Sequence, residues 1–293
     1  MLLLDGREVS KQIIMSLKEE IEEYQKKGLR KPSLAVILVG EDPASKIYVR
    51  RKREASEKVG INSICINLPS SISQEDLVQE IKRLNDDDSI DGILVQLPLP
   101  THIDTGEVIQ AIKPDKDVDG FHPENVGRLA TGIGRGIVPC TPLGIWLLLK
   151  HYKIDAFGKD VVIVGASNIV GKPMSLVFLK DERATVTVCH KNTRDLKSHT
   201  SQADILVVAV GKPKLITRDM VKEGSVVIDV GINRLENGKI VGDVDFENVK
   251  DKVYAITPVP GGVGPMTVVS LLVNTLHLYR LKHGFPPHLF AQI

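Results

Sequence analysis

The stretch that decides the fold is Val161-Val162-Ile163-Val164-Gly165-Ala166-Ser167-Asn168-Ile169-Val170-Gly171-Lys172-Pro173. Four apolar residues of strand length run into a glycine turn, and a proline follows where a helix begins. This order is typical of a dinucleotide-binding βαβ unit, although the usual G-x-G-x-x-G pattern is replaced here by G-x-S-x-x-x-G-x-P. Gly165 permits a tight turn, Ser167 can donate to a phosphate, and Gly171 allows close helix–strand packing. The stretch therefore predicts an anion site.

Three more apolar strands follow in the same half of the chain, at about 185–189, 204–209 and 225–230. The last of them ends in Gly231-Ile232-Asn233. Four βα units with glycine-rich strand ends predict a Rossmann-type domain.

The end of the second of these strands bears on the choice of cofactor. NAD-binding domains usually place Asp or Glu there to hold the ribose hydroxyls, whereas this chain has His190-Lys191-Asn192-Thr193. Basic and hydroxyl groups at this point suit a 2′-phosphate, so His190, Lys191 and Thr193 are candidate cofactor-binding residues and NADP is favoured. The alternative is that Lys191 is an ordinary surface lysine.

The N-terminal half shows the same alternation of helices and strands. An amphipathic helix is predicted over about 10–26, and strands are predicted from predominantly apolar runs at 34–39, 62–68 and 93–97. The first two strands enclose a helix with Asp42 as its N-cap, Pro43 at its first position and Gly60 at its stop.

Fully apolar strands that alternate with helices predict parallel sheets covered on both faces. At 293 residues the chain is long enough for two cores. We expect a two-domain α/β protein, in which an N-terminal α/β catalytic domain and a Rossmann-type NAD(P)-binding domain enclose a cleft. The first domain is predicted at 1–140 with 267–293, whose helix returns to it, and the second at 141–266.

The helix after Asp42 carries the first candidates for catalysis. Tyr48 and Lys52 lie four residues apart on its sheet-facing stripe. A partly buried ammonium gives up its proton more readily than an exposed one, as a lysine acid/base requires. The alternative is a lysine whose stem passes the edge of the core with its head in water. Gln96, a lone amide at the carboxyl end of a parallel strand, either contacts a ligand or bonds to a loop backbone.

An acidic segment, Asp115-Lys116-Asp117-Val118-Asp119-Gly120, imitates the start of a calcium-binding EF-hand loop. The match fails because position twelve is Val126 rather than Glu and no helix–loop–helix frame surrounds it. Asp115 and Asp117 are expected to cap turns, whereas Asp119 is the better ligand candidate.

A loop rich in glycine and proline stands near the end of the chain, Thr257-Pro258-Val259-Pro260-Gly261-Gly262-Val263-Gly264-Pro265-Met266-Thr267-Val268. Its glycines let the backbone approach a ligand, and its prolines stiffen it. A helix predicted at about 267–282 would offer free N–H groups to a ligand at its start. A stiff turn without a ligand is the alternative. The tail around 286–288 is expected to be loosely held.

Composition excludes several classes of function. A net charge of +1 argues against nucleic acid and anionic membranes as partners, and the apolar runs are too short to span a bilayer. The first residues lack the basic start and apolar core of a signal peptide. Three scattered cysteines without a CxxC pair indicate a reducing, cytoplasmic setting and no disulfide framework or thiolate zinc site, so no metal is expected.

Over about residues 5–277, the chain resembles the bifunctional 5,10-methylenetetrahydrofolate dehydrogenase/cyclohydrolase family in its shorter bacterial form. The resemblance rests on the order and spacing of five motifs: Tyr48-Val-Arg-Arg-Lys52, Val95-Gln96-Leu97-Pro98-Leu99, Lys116-Asp-Val-Asp119-Gly120, Gly165-Ala-Ser-Asn-Ile-Val-Gly171-Lys-Pro173 and Pro258-Val-Pro-Gly-Gly-Val-Gly-Pro-Met-Thr267.

The resemblance implies two successive reactions. NADP+ takes a hydride from 5,10-methylenetetrahydrofolate, and water then opens the resulting methenyl cation to 10-formyltetrahydrofolate. It also implies a homodimer and a place in the one-carbon metabolism that feeds purine and amino-acid biosynthesis.

The resemblance also implies roles for individual residues. Lys52 would be the acid/base of the cyclohydrolase step, Tyr48 would orient and stack on the folate, and Gln96 would hold Lys52 in place. Asp119 would pair with the amino-pyrimidinone edge of the pterin. Folate is expected to contact Tyr48, Lys52, Val95, Gln96, Leu97, Asp119, Pro260, Gly261, Gly262, Val263, Gly264, Pro265, Met266 and Thr267. The dinucleotide is expected at Gly165, Ala166, Ser167, Gly171, His190, Lys191, Thr193, Gly231 and Ile232.

Two departures from the family pattern concern the cofactor. Many relatives have Ser at the position of Lys191, and some have Arg at that of Ala166, so NADP preference rests on Lys191 and its neighbours. An NAD-dependent or dehydrogenase-only enzyme is the alternative within the family. Outside it stand a shikimate-dehydrogenase-like oxidoreductase, which would lack the Tyr48/Lys52 pair, and a non-catalytic NADP sensor.

Overall fold

The structure, a computed structural model, describes residues 1–134 and 136–291. The helices are α1 Gly6–Lys26, α2 Pro43–Val59, α3 Gln74–Asp86, α4 Thr105–Ala111, α5 Pro123–Thr131, α6 Cys140–His151, α7 Gly171–Lys180, α8 Leu196–Thr200, α9 Phe246–Val249 and α10 Val263–Lys282. The strands are β1 Leu2–Leu3, β2 Ser33–Val39, β3 Asn62–Leu68, β4 Gly92–Val95, β5 Asp160–Val164, β6 Thr185–Cys189, β7 Ile205–Val208, β8 Val226–Asp229, β9 Asn233–Arg234, β10 Ile240–Val241 and β11 Ala255–Ile256.

The chain divides into two compact units. One comprises Met1–Lys11 and Thr141–Thr267, and we call it the six-stranded unit; the other comprises Gln12–Cys140 and the described residues from Val268 onward, and we call it the three-stranded unit. Both contain parallel sheets with helices, so the predicted two-domain α/β class is confirmed. Among the described residues, no helix is long and apolar enough to cross a membrane.

The sheet of the six-stranded unit runs in the order β1-β11-β8-β7-β5-β6, with every neighbouring pair parallel. β5, β7 and β8 lie inside this sheet and are almost wholly buried, which explains their continuous apolar sequences. The chain moves outward from β5 to β6 and then crosses back to β7. This change of direction is the topology that leaves a ligand site at the carboxyl ends of the strands.

The sheet of the three-stranded unit is parallel in the order β3-β2-β4. β2 is buried along its whole length, and β4 ends at Val95, one residue before Gln96. Apolar residues of α3 and α4 pack on one face of this sheet in a single cluster with β2 and β4. The carboxyl end of β4 is therefore packed against this cluster through Val95.

The structure departs from the sequence expectation at the start of the chain. Leu2 and Leu3 pair in parallel with Ala255 and Ile256 of β11, so the first residues join the six-stranded sheet rather than the domain predicted for residues 1–140. The other domain limits remain a prediction, and Arg135, Gln292 and Ile293, which lie within the predicted ranges, fall outside the described residues.

α10 begins earlier than predicted, at Val263 rather than near Thr267. Gly264 and Pro265 therefore lie in its first turn. A proline is tolerated there because the N–H groups of a first helical turn have no partner within the helix.

The prediction of a loosely held tail was wrong. His288 is only 3% exposed, and its Nε2 atom lies 3.0 Å from Glu20 Oε2 in α1. Its backbone N–H donates to His277 Nδ1 at 3.1 Å. These two contacts hold the tail to α1 and α10.

Candidate active site

α2 positions the first two candidate residues. Asp42 accepts a 2.7 Å bond from the Ser45 N–H, and Gly60 ends the helix in the left-handed conformation, so the predicted caps are confirmed. Between them Lys52 is half-buried, but Tyr48 is 39% exposed, so its predicted place on the sheet-facing stripe was wrong. The buried residues of α2 are Ser45, Val49, Ser56 and Val59.

Lys52 and Gln96, far apart in sequence, meet in the structure. Lys52 Nζ donates to Gln96 Oε1 at 3.0 Å. The amide of Gln96 is oriented from its other side, because Nε2 donates to the Leu97 carbonyl at 2.7 Å. Its acceptor oxygen is thereby directed at Lys52 Nζ, and the direct partner of Lys52 is a neutral amide.

The two aspartates of the acidic segment are used differently. Asp117 is buried and accepts bonds from the backbone of Gly120 and His122 and from the Asn125 amide, as expected of a residue that caps turns. Asp119 is half-buried, and its Oδ1 accepts a 3.6 Å contact from Cys140 Sγ.

Burial raises the pKa of the Asp119 carboxyl, and the charge of Lys52 and the bond from Cys140 oppose that shift. Burial likewise raises the pKa of the Cys140 thiol well above its ordinary value, and the nearby Asp119 charge adds to the effect. The thiol is therefore the donor and the carboxylate the acceptor. Lys52 and Asp119 belong to one electrostatically coupled site.

An apolar cavity adjoins this site. It is lined by Val95, Leu97, Asp119 and Phe121 together with residues of β4 and α4. Val95, Leu97 and Asp119 thus line one small cavity, and their assignment to a single substrate site stays a prediction.

Cys140 and Asn274 are site residues that the sequence did not single out. Asn274 Nδ2 donates to the carbonyls of Val118 and Val138. These two bonds connect α10 to the segments that carry Asp119 and Cys140. A polar residue inside the apolar run of α10 was the available signal for Asn274. Cys140 had no signal beyond its place before a predicted helix.

In the six-stranded unit, neighbouring backbone segments pack closely against the glycines of the turn after β5. Gly165 has φ +124°, and a Cβ there would lie 2.2 Å from the Ala209 carbonyl oxygen. A Cβ on Gly171 would lie 1.8 Å from the Gly165 oxygen. Ser167 Oγ accepts the Val170 N–H at 3.1 Å and keeps its own proton to donate.

α7 starts directly behind this turn, and no side chain caps its N-terminus. A tight glycine turn followed by an uncapped helix start fits the pyrophosphate of a dinucleotide. Ala166 lies within the same turn.

The residues of the turn after β6 form hydrogen bonds with one another. Thr193 Oγ1 accepts the His190 N–H at 2.8 Å, and His190 Nδ1 accepts the Asn192 N–H at 3.2 Å. Lys191 is exposed between them. The ring of His190 and the hydroxyl oxygen of Thr193 therefore shape the turn, and Lys191 is the side chain most available to a ligand.

The loop at 257–268 is fixed by short-range contacts. The Gly262 N–H donates to the Pro258 carbonyl at 2.8 Å, and Arg7 Nη2 donates to the Pro260 carbonyl at 3.3 Å. Thr267 Oγ1 lies 3.1 Å from Thr141 Oγ1. Ile232 is 51% exposed, and its Cδ1 would lie 3.8 Å from a Cβ placed on Gly264.

The candidate residues therefore fall into two sets. Tyr48, Lys52, Gln96 and Asp119 lie in the three-stranded unit, and the dinucleotide candidates lie with the glycine-rich loop in the six-stranded unit.

Comparison with known proteins gives consistent matches along the chain. Residues 4–119 match the family described as "Tetrahydrofolate dehydrogenase/cyclohydrolase, catalytic domain", and residues 139–283 match its "NAD(P)-binding domain". The "Bifunctional protein FolD" of Sulfurihydrogenibium sp. (strain YO3AOP1) is 67% identical over 282 residues, which cover 96% of this chain and 99% of that protein.

Two solved structures are also similar. The bifunctional FolD methylenetetrahydrofolate dehydrogenase/cyclohydrolase from Campylobacter jejuni matches with a TM-score of 0.94 at 54% identity, over 96% of this chain and 99% of that one. The Trypanosoma brucei methylenetetrahydrofolate dehydrogenase-cyclohydrolase, complexed with NADP cofactor and inhibitor, matches with a TM-score of 0.92 at 39% identity, over 97% and 98%.

Proposed function

This chain belongs to the tetrahydrofolate dehydrogenase/cyclohydrolase family, and we propose which of its residues carry out the two reactions of that family. The enzyme oxidises 5,10-methylenetetrahydrofolate to 5,10-methenyltetrahydrofolate with NADP+, and it hydrolyses the methenyl compound to 10-formyltetrahydrofolate. NADP+ accepts the hydride, so the first step requires no protein acid or base. The second step requires proton transfer, because water must lose a proton as it adds and the ring nitrogen must gain one.

Lys52 is the acid/base of the hydrolytic step in this proposal. The observation that carries it is the 3.0 Å bond from Lys52 Nζ to Gln96 Oε1. A neutral acceptor orients the amine without fixing a proton on it, as a carboxylate would. A lysine that can lose its charge also avoids repelling the cationic methenyl substrate.

Asp119 binds the amino-pyrimidinone edge of the pterin in this proposal, and Tyr48 stacks on the folate. Support comes from the contrast with Asp117, whose oxygens are taken by turn hydrogen bonds. Asp119 accepts from a weak thiol donor at 3.6 Å, which a planar pair of N–H donors can replace.

The dinucleotide pyrophosphate is assigned to the turn of Gly165, Ala166 and Ser167 and the start of α7 at Gly171. The nicotinamide end is assigned to Gly231 and Ile232. The glycines of residues 260–267 are assigned to the folate side, where a backbone without Cβ atoms can lie flat against a ring.

Lys52→Met tests the central role. Cyclohydrolase activity should fall by about 10²- to 10⁴-fold, because general acid–base catalysis is removed. NADP+ reduction with methylenetetrahydrofolate should continue, so methenyltetrahydrofolate should accumulate and be visible by absorbance. Lys58→Met, in the exposed last turn of the same helix, is the matched control. Wild-type hydrolysis in Lys52→Met would refute the role assigned to Lys52.

Gly262→Val tests the loop. A Cβ at Gly262 would lie 2.7 Å from the Pro258 oxygen, so the side chain must displace the loop. The KM for folate should rise while the protein still folds. Gly127→Val, where an added Cβ meets open space, is the control. Unchanged kinetics in Gly262→Val would mean that the loop is a stiff turn that does not contact the folate.

Preference for NADP over NAD is assigned to Lys191, whose exposed ammonium can pair with a 2′-phosphate. Lys191→Ala should raise the KM for NADP+ and leave that for NAD+ unchanged. An equal change with both cofactors would contradict the assignment.

Homodimerisation is proposed through β6, the edge strand of the six-stranded sheet, whose Val186 and Val188 are only partly buried. Val186→Lys should shift the sedimentation coefficient towards that of a monomer. A cytoplasmic location, supported by three unpaired cysteines, and a role in purine and amino-acid biosynthesis complete the proposal. Cell fractionation and growth without purines test these two points.

A further inference from the structure

Two buried carboxylates lie against the carboxyl ends of the central strands β7 and β8, and neither is among the residues assigned to substrate or cofactor. Asp229 ends β8 and is 3% exposed, and Asp243 follows β10 and is 0% exposed. In the described part of the chain neither forms an ion pair. A buried carboxylate without a cation is costly unless hydrogen bonds compensate it.

Asp243 ties two backbone segments together. Its Oδ2 atom accepts the N–H groups of Val210 and Gly211 at 2.7 and 2.9 Å, directly after β7. Its Oδ1 atom accepts Asn233 Nδ2 at 2.8 Å. Asn233 immediately follows Ile232, so one side chain links the backbone after β7 to the segment assigned to the nicotinamide.

Asp229 extends the same network. Its Oδ1 atom accepts the N–H groups of Gly231 at 3.0 Å and of Asp243 at 2.9 Å, and its Oδ2 atom accepts that of Val244 at 2.9 Å. Its own N–H donates to Thr257 Oγ1 at 2.8 Å. The ends of β7, β8 and β11 are thus linked through two carboxylates and one hydroxyl.

The neighbouring glycines show how closely the backbone is packed against these carboxylates. A Cβ on Gly231 would lie 2.2 Å from Asp243 Oδ1, and a Cβ on Gly242 would lie 1.8 Å from Asp229 Oδ2. Neither glycine has a positive φ in this structure. Space for the carboxylates, rather than backbone conformation, therefore requires glycine at both positions.

We propose that Asp243, supported by Asp229, is a positioning residue for the dinucleotide. It holds Val210, Gly211 and Gly231–Asn233 at the carboxyl edge of the sheet in the arrangement that binds the cofactor. The proposal rests on the proposed function in one respect, the assignment of the nicotinamide end to Gly231 and Ile232. Asp243 itself need not touch the cofactor.

An exchange of two side chains tests the geometry. In Asp243→Asn, one oxygen can still accept from Val210 and Gly211, but the new NH2 group faces the NH2 group of Asn233. In Asn233→Asp, two carboxylates face each other. In the double variant Asp243→Asn/Asn233→Asp, the amide donates to the new carboxylate, so every hydrogen bond and the net charge are restored.

NADP+ binding without folate, measured by calorimetry, is the main readout. Each single variant should raise the Kd by about tenfold or more, since a buried donor or acceptor loses its partner. The double variant should return to within about threefold of wild type. Cyclohydrolase activity on methenyltetrahydrofolate, which uses no dinucleotide, should stay within about twofold throughout, because a positioning effect is confined to the cofactor.

Hydrogen exchange of the cofactor-free protein gives a second readout. The two facing NH2 groups in Asp243→Asn should displace the side chain from its bonds to Val210 and Gly211, so these two amides should exchange faster and regain protection in the double variant. Asp204→Asn is the matched control, because Asp204 accepts the Asp160 N–H at the opposite, amino edge of the same sheet. It should leave NADP+ affinity unchanged. If Asp243→Asn does not fold, Asn233→Ala removes one donor and should still weaken NADP+ binding.

Three results would overturn the proposal. The first is a Kd for NADP+ in Asp243→Asn equal to that of wild type. The second is an equal loss of NADP+ binding and cyclohydrolase activity, which indicates general destabilisation. The third is a double variant that folds without recovering affinity. Failure of the proposed function is distinguishable, because wild-type protein would then bind no NADP+, while the exchange rates of Val210 and Gly211 still report on the carboxylate.

Discussion

Replacing Gln96 by Glu changes one atom in the contact that orients Lys52. Gln96 Oε1 accepts from Lys52 Nζ at 3.0 Å. A carboxylate at this distance stabilises the ammonium, which must lose its proton before it can accept one from water. Gln96→Glu is therefore expected to keep Lys52 charged at pH values where the wild-type enzyme hydrolyses its substrate.

The distance sets the size of the effect. Two unit charges 3.0 Å apart attract by about 1.4 kcal/mol in bulk water and by about 5.5 kcal/mol at an effective dielectric constant of about 20. Lys52 and Gln96 are both half-buried, so solvent screening favours the lower part of this range. Since one pH unit corresponds to about 1.4 kcal/mol, the pH of half-maximal hydrolysis should rise by about one to two units.

The assay is the pH dependence of the two activities measured separately. Hydrolysis of methenyltetrahydrofolate should show the shifted profile, whereas kcat for NADP+ reduction should change by less than about threefold, because hydride transfer uses no protein base. Gln74→Glu is the control: Gln74 Oε1 accepts the Asp104 N–H at 2.7 Å, a bond that a carboxylate can also accept. It should leave both profiles unchanged.

Two results would refute this reasoning. An unshifted hydrolysis profile in Gln96→Glu would mean that the charge state of Lys52 does not limit the reaction. An equal loss of both activities at every pH would mean that Gln96 holds the substrate rather than the lysine.

Three other perturbations separate the roles of individual residues. Gly171→Ala, whose Cβ would lie 1.8 Å from the Gly165 oxygen, should raise the Kd for NADP+ by about tenfold or more and spare hydrolysis; calorimetry and the hydrolysis assay check this. Burial raises the pKa of Asp229 from 3.8 to about 6, so its contribution to stability is full below pH 3.8 and is lost as pH rises through 6. Between pH 4 and pH 7 the free energy of unfolding of wild type should therefore fall by about 3 kcal/mol relative to that of Asp229→Asn, as measured by denaturant unfolding. A difference that stays constant with pH would contradict this. Glu20→Gln weakens the contact with His288, so the tail should become protease-sensitive and the unfolding free energy should fall by about 1–3 kcal/mol; an equally resistant tail would contradict this.

The residues that cap helices gave the most reliable predictions from the sequence. Asp42 and Gly60 delimit α2 as predicted, because a cap is determined by a few adjacent residues. The apolar strands inside the two sheets, β2, β5, β7 and β8, were also found, since burial on two faces leaves a continuous signal. β1 and β11 were missed because strands of two residues have no periodicity. These strands are recognisable only in the structure, where β1 pairs with β11 and β11 pairs with β8.

The site was predictable to a lesser degree. Tyr48 and Lys52 share a helix face by spacing alone, but the contact between Lys52 and Gln96 joins residues 44 positions apart and required the fold. Resemblance to a family supplied the roles. Asp229 and Asp243 gave no usable signal, because an acidic residue beside a glycine at a strand end is equally consistent with an exposed turn.

The absence of a counter-ion beside Asp229 and Asp243 among the described residues has a chemical consequence. A lysine or arginine placed there would neutralise the carboxylates, but its side chain would also compete for the phosphates that the strand ends and α7 are suited to bind. Backbone N–H groups and the Asn233 amide instead donate hydrogen bonds to the two carboxylates, which places no mobile cation at this edge. Lys191 is left as the exposed cation assigned to the 2′-phosphate. This arrangement matches what the two reactions require: hydride transfer requires a fixed backbone, and hydrolysis requires one titratable side chain. Changes at Asp243 and at Lys52 should for that reason affect different reactions of the same enzyme.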